Sequence, residues 1–223
     1  MVSNILYIFA HPDDETFACG GTIAHFASTG KTRQVLYCAT HGEAGKTGGI
    51  CAPEELGNVR VLELKQAARI LGLDHLIIRN YGDGKLHKQP AEGLVQDLRD
   101  VMEQEKPDLI ITFPPSGISG HKDHKMIQQA ALEAVKKTSF STKLYYIVIP
   151  ESIVHFSGRS VHTTPDEYVS MKIDVSAFKE KIAKALAAHQ TQHLSVERVF
   201  PGVLNGNTDQ LRTHEYYQLV IQR

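Results

Sequence analysis

Two short clusters in the 223-residue chain bring together side chains able to hold a cation and move protons. The first, His11-Pro12-Asp13-Asp14-Glu15, sets one imidazole beside three carboxylates. Anions at that density repel one another and lose hydration on burial, unless a cation joins them. The second, His121-Lys122-Asp123-His124, spaces two imidazoles i, i+3, which puts both on one face of a helix. Asp123 beside them can accept a ring N–H and fix a histidine tautomer. The three cysteines, Cys19, Cys38 and Cys51, lack CxxC spacing, so any metal here takes its ligands from His and carboxylate. A blander reading stands beside this one. Three acids also suit the positive end of a helix, and a His/Asp group also occurs on ordinary surface helices. The functional reading requires the two clusters to meet in space.

The elements that must bring them together alternate regularly. Apolar, β-branched runs at Asn4–Ala10, Gln34–Ala39, His75–Arg79, Asp108–Phe113 and Leu144–Ile149 read as buried strands. Between them, Thr16–Ser28, Glu54–Leu71, Ala91–Glu105 and His121–Lys137 carry helical periodicity. Gly30, Gly72 and Lys106-Pro107 supply the stops. Such alternation predicts an α/β, Rossmann-like, doubly wound and mostly parallel sheet with helices on both faces. Ligands of such sheets bind outside the carboxyl ends of the strands, where both clusters fall. Strands one and four neighbour each other at the switch point of many doubly wound sheets, which would make the clusters converge. Beyond Pro150, Glu151–Glu167 reads as a long polar loop or lid. A strand at Ser170–Val175, a helix at Ala177–His189, a Gly/Asn-rich turn and a strand at Tyr216–Ile221 complete the chain. No repeat or boundary divides it, so residues 1–223 are expected to form one domain.

Composition narrows the class. The apolar and charged fractions, 42% and 22%, are those of a globular protein, and a formal net charge of −1 recruits neither nucleic acid nor an anionic membrane. The apolar run Ile5–Ala10 lacks a basic leader and passes directly into the first acidic cluster, unlike a signal peptide. Nothing approaches the roughly 20 apolar residues of a membrane span. With the cysteine pattern, this predicts a cytoplasmic protein.

Ala10-His11-Pro12-Asp13-Asp14-Glu15, Gly20-Gly21-Thr22-Ile23-Ala24 and Gly120-His121-Lys122-Asp123-His124 together resemble the PIG-L/LmbE-like zinc N-deacetylases. The likeness extends to Thr40-His41-Gly42-Glu43-Ala44-Gly45, the Arg60-Val61-Leu62-Glu63 helix and Ala188-His189-Gln190-Thr191-Gln192. Lys122 departs from the proline usual at that place, which is not a ligand position. The resemblance implies His11, Asp14 and His124 as ligands of Zn2+, with Fe2+ or another divalent ion as the alternative. It implies Asp13 as general base and His121 as oxyanion donor, oriented by Asp123. Three N/O ligands leave a position for water, as in catalytic zinc sites.

Glu43, Arg60 and His189 are secondary candidates for substrate binding. Arg60 suits anionic groups or sugar hydroxyls, but Arg60 and Glu63 at i, i+3 also form an ordinary helix-surface pair, and His189 also suits a helix C-terminus. The expected activity is metal-dependent hydrolysis of the N-acetyl group of a small N-acetylglucosaminyl-type substrate, with homo-oligomerisation open. Alternatives are an amidase acting on thiol or sugar conjugates through the same site, an oxygenase built on two histidines and a carboxylate, and a non-catalytic sugar- or nucleotide-binding module. Nucleotide phosphate binding is disfavoured because neither a GxGxxG after the first strand nor a Walker A motif is present.

Overall fold

A computed structural model describes residues 2–153 and 161–223. Seven strands, β1 (Asn4–Phe9), β2 (Arg33–Cys38), β3 (His75–Ile78), β4 (Leu109–Thr112), β5 (Lys143–Val148), β6 (Met171–Asp174) and β7 (His214–Gln222), form one sheet in the order β3-β2-β1-β4-β5-β7-β6. The first five run parallel, while β7 pairs antiparallel with both β5 and β6. β1 is central, in register with β2 from Asn4↔Arg33 to Phe9↔Cys38 and with β4 from Ile5↔Leu109 to Tyr7↔Ile111. The expected doubly wound sheet is therefore present, with its order reversing between β1 and β4.

The helices are α1 (Asp14–Thr29), α2 (Leu56–Leu71), α3 (Ala91–Glu105), α4 (Lys122–Lys136), α5 (Lys179–Ala188) and α6 (His193–Val199). α1, α2 and α5 pack together, and α3 packs with α4. Ile127, Ala130, Ala131, Ala134 and Val135, the apolar stripe of α4, are all buried, each large aliphatic contributing on the order of 1.5–3 kcal/mol. α2 ends at Gly72, whose φ of 94° and contact with Ala27, 2.6 Å from where a Cβ would stand, both demand glycine.

Three features differ from the sequence expectation. α6 was not anticipated, because its seven residues are shorter than a periodicity window. β7 is longer than the expected strand. The expected loop at 151–167 contains 3-10 turns at Glu151–Ile153 and Asp166–Tyr168, while its middle, 154–160, lies outside the described residues and with it the lid reading.

α1 is interrupted at Cys19 (φ −144°, ψ 28°). The amides of Gly21 and Thr22 just beyond the break donate to Glu215 Oε1 and Oε2 at 2.9 and 2.8 Å. One buried carboxylate from β7 thus caps an internal helix start, as an N-cap acid would. Gly21 lets the kinked helix approach the sheet, since a Cβ there would lie 2.5 Å from Val175 Cβ.

Candidate active site

The switch point between β1 and β4 holds the candidate site. β1 delivers His11, Asp13 and Asp14; the segment after β4 delivers His121 and His124 at the start of α4. Asp14 Oδ2 lies 3.3 Å from His11 Nδ1, Asp14 Oδ1 lies 3.2 Å from His124 Nε2, and the two ring nitrogens are 3.2 Å apart. The far sides of both rings are already engaged. His11 Nε2 faces Asp83 Oδ1 at 3.0 Å and Asp123 Oδ2 at 3.4 Å, and His124 Nδ1 faces the Gly117 carbonyl at 3.0 Å. Carboxylates and carbonyls only accept, so they claim the ring N–H groups. In the neutral rings two imidazole lone pairs are then left facing the Asp14 carboxylate, whose Oδ2 also accepts the Ala10 and His11 amides at 3.2 and 2.8 Å. That is a cluster of ligand atoms suited to a divalent cation, with the carboxylate–histidine support found behind metal-ligating rings.

The same arrangement favours positive charge, a proton when no cation is bound. Burial disfavours charge on His11, yet its contacts with Asp123 and Asp14 hold its pKa well above the usual value. Burial likewise opposes ionisation of Asp14, and His124 and His11 override it, holding its pKa well below the usual range. The pocket stabilises positive charge at the point where the rings meet. His11, His121 and His124 form one group close enough to share an ion, and His11, Asp83 and Asp123 a second that overlaps it. Phe113 stacks on the His124 ring at 4.0 Å and fixes its plane.

Asp13 stands beside this cluster at φ 102°, ψ −29°, a conformation costing a non-glycine residue of order 1–3 kcal/mol. Arg60 braces it: Nη2 reaches Asp13 Oδ2 at 3.2 Å and the Pro12 carbonyl, while Nη1 donates to the Gly42 carbonyl at 2.7 Å. Burial pushes the Asp13 carboxyl up to about 6, against the pull of Arg60. His121 caps α4 by accepting the Asp123 amide on Nδ1 at 3.2 Å, which assigns the hydrogen of the neutral ring to Nε2.

The secondary candidates are placed differently from expectation. Asp123 does not orient His121 through its carboxylate. Its oxygens accept the Gly84 and Leu86 amides at 2.6 and 3.2 Å and face the His11 ring. Arg60 and Glu63 are not an exposed pair, since both are buried and Glu63 accepts the Thr191 amide and hydroxyl, each at 2.7 Å. Glu43 Oε1 accepts the Asp83 amide at 2.8 Å, and its buried Oε2 has no partner among the described residues. His189 is wholly buried behind the site and bonds Glu15 Oε1 at 3.0 Å. Asp83 was missed. It follows β3 in Gly82-Asp83-Gly84, and the strand-end rule was the signal that pointed there.

The cluster forms the floor of a cavity of about 760 Å³, whose walls include Phe17, Ile118, Ile147, Ile149 and Phe200. Ile118 is held at φ 60° in the turn ahead of His121, a strained setting for a β-branched side chain.

An open α/β sheet with a His/Asp donor cluster at its switch point, and a spare carboxylate beside it, defines a Rossmann-like enzyme with a candidate metal site. The family description PIG-L: GlcNAc-PI de-N-acetylase matches residues 6–135. The 1D-myo-inositol 2-acetamido-2-deoxy-alpha-D-glucopyranoside deacetylase of Acidothermus cellulolyticus is 30% identical, the match spanning 99% of this chain and 89% of that protein. The chain therefore belongs to the PIG-L family of N-deacetylases. Among solved structures, N,N'-diacetylchitobiose deacetylase from Pyrococcus horikoshii superposes with a TM-score of 0.74 at 21% identity, over 98% of this chain and 84% of that one. The 4-carboxy-2-hydroxymuconate hydratase from Pseudomonas putida KT2440 superposes with a TM-score of 0.70 at 20% identity, over 99% and 97%. Identities this low speak for a shared fold alone.

Proposed function

We propose that the chain hydrolyses the acetamido group of a small N-acetylglucosaminyl conjugate, with His11, Asp14 and His124 as ligands of a zinc ion and Asp13 as general base. The observation that carries this is the meeting of His11 Nδ1, His124 Nε2 and the Asp14 carboxylate at 3.2–3.3 Å. Zinc fits two imidazoles and a carboxylate; ferrous ion is the alternative. When bound, such an ion supplies Lewis acidity and brings the pKa of a water to about 7.

The chain's own residues do the rest. Asp13 accepts the proton of the attacking water, its carboxylate steadied by Arg60 at 3.2 Å. His121 Nε2–H donates to the carbonyl oxygen as negative charge builds on it, a contribution of roughly 3–4 kcal/mol for one such donor. This reading makes His121 a neutral donor, because its Nδ1 is committed to the Asp123 amide. Asp13 then returns the proton to the departing amine. The cavity volume lies within the range usual for small-ligand sites, and an N-acetylated sugar conjugate accords with the activity named for the Acidothermus relative.

No helix among the described residues is long and apolar enough to cross a membrane. The three free cysteines support placement in a reducing cytoplasm, and the continuous sheet supports treating residues 1–223 as one domain.

The test is acetate release from N-acetylglucosamine, chito-oligosaccharides and inositol- or malate-linked glycosides, using chelated and zinc- or iron-reconstituted protein. Metal-dependent release from at least one is expected; none from any would refute the substrate class.

A further inference from the structure

Asp13 has a backbone that an L-residue leaves when it can, so something must hold its amide. That amide donates to Glu15 Oε2 at 3.1 Å. The other oxygen of the same carboxylate takes the Thr16 hydroxyl and, at 3.0 Å, His189 Nε2. Glu15 and His189 are both fully buried and neither lines the cavity. His189 sits at the junction of α5 and α6, and that junction is tied down by Glu63 through Thr191. One helix, α2, therefore acts on Asp13 from both sides. Arg60 grips its carboxylate and the Pro12 carbonyl, and Glu63 anchors the segment that presents His189.

We propose that Glu15 and His189 form a buried strut that holds Asp13 in its left-handed conformation, making both positioning residues that act through Asp13 without touching substrate. The inference rests on Asp13 being the base. If the amide loses Glu15, or Glu15 loses its orientation, φ relaxes to negative values and the carboxylate swings off the cluster. Misplacement on the scale of 1 Å costs about 100-fold in rate.

The experiment compares kcat, KM and zinc content of wild type, His189→Leu, His189→Gln and Asp13→Asn as zinc-loaded enzymes. His189→Leu keeps bulk but donates nothing to Glu15. It should lose about 10- to 100-fold in kcat, with KM and zinc content unchanged. His189→Gln retains an N–H donor and should recover most of that loss. A side chain serving only to pack predicts the reverse ranking. Wild-type kcat in His189→Leu, or a loss that glutamine does not recover, overturns the strut. Should His189→Leu not fold, Glu15→Met asks the same question, because it keeps an unbranched side chain of similar length but offers neither Asp13 nor His189 a carboxylate acceptor. A kcat loss at constant KM is expected there, and an unchanged kcat overturns the proposal. Asp13→Asn separates the two levels. If it retains turnover, the base assignment fails; if it is inactive while His189→Leu is not, the strut alone fails.

Discussion

At the floor of the cavity, His11, Asp13 and Asp14 have ion-paired partners from other elements, and His121 and His124 are held within their own segment by the Asp123 amide and the Gly117 carbonyl. Along the far wall, Ile147, Ile149, Phe17 and Phe200 line the same space through apolar and ring contacts. The floor is over-determined: it holds a strained Asp13 and gathers two ring nitrogens around one carboxylate, which packing alone would not sustain. The wall needs only shape. Chemistry should therefore fail abruptly when the floor is altered, whereas the wall should tune which conjugate is accepted.

The largest effect is expected from Asp13→Asn, which removes the proposed proton acceptor but no proposed ligand. Turnover should fall by about 10²- to 10⁴-fold with zinc content unchanged, measured by steady-state acetate release and metal analysis. Asp83→Asn comes next. It weakens the acceptor behind His11 Nε2, and zinc affinity should drop about 10- to 100-fold, read by competition with a chelating dye. If the affinity held, the floor would be less interdependent than the hydrogen bonds indicate. Ile149→Ala probes the wall, with KM rising several-fold and kcat staying within about twofold, since uniform binding is what is removed.

The smallest effect lies away from the cavity. Asp97 accepts Tyr37 and Tyr81 hydroxyls and the Arg79 guanidinium. Burial opposes its ionisation, but these contacts, Arg79 foremost, hold its carboxyl below the usual range. Between the folded and unfolded pKa the unfolded chain binds more protons. The stability Asp97 contributes is thus present above about pH 4 and is lost as pH falls through the folded value. Asp97→Asn should flatten the acid limb of a Tm-against-pH curve and leave kcat unchanged.

What could be read from the sequence follows this division. The strand-end rule singled out the cluster after β1 and, through the β1–β4 adjacency, the histidines at the start of α4; the choice of His11, Asp14 and His124 as ligands came from the family resemblance. Asp123 misled for a local reason. Its neighbours in sequence are the two histidines, but side chains at i, i+2 on a helix point apart, and its carboxylate faces His11 instead. Asp83 hid inside Gly82-Asp83-Gly84, which reads as turn chemistry until β3 and β2 are paired. Arg60 and Glu63 have the spacing of a surface pair; Arg60 instead reaches the loops after β1 and β2, and Glu63 the α5–α6 junction, a contact between residues 128 positions apart. His189 was expected on the substrate side, since nothing local reveals that Glu15 stands between it and Asp13.

The central claim is that the three-acceptor cluster binds the ion that makes deacetylation possible. It is tested most directly by titrating zinc into chelator-treated protein while following acetate release from a glycoside substrate, for wild type and His124→Ala side by side. Turnover of the wild type should rise to its maximum at one zinc per chain, with His124→Ala neither binding nor turning over in that range. Full turnover by zinc-free wild type, or a His124→Ala titration that overlays the wild-type curve, would contradict it.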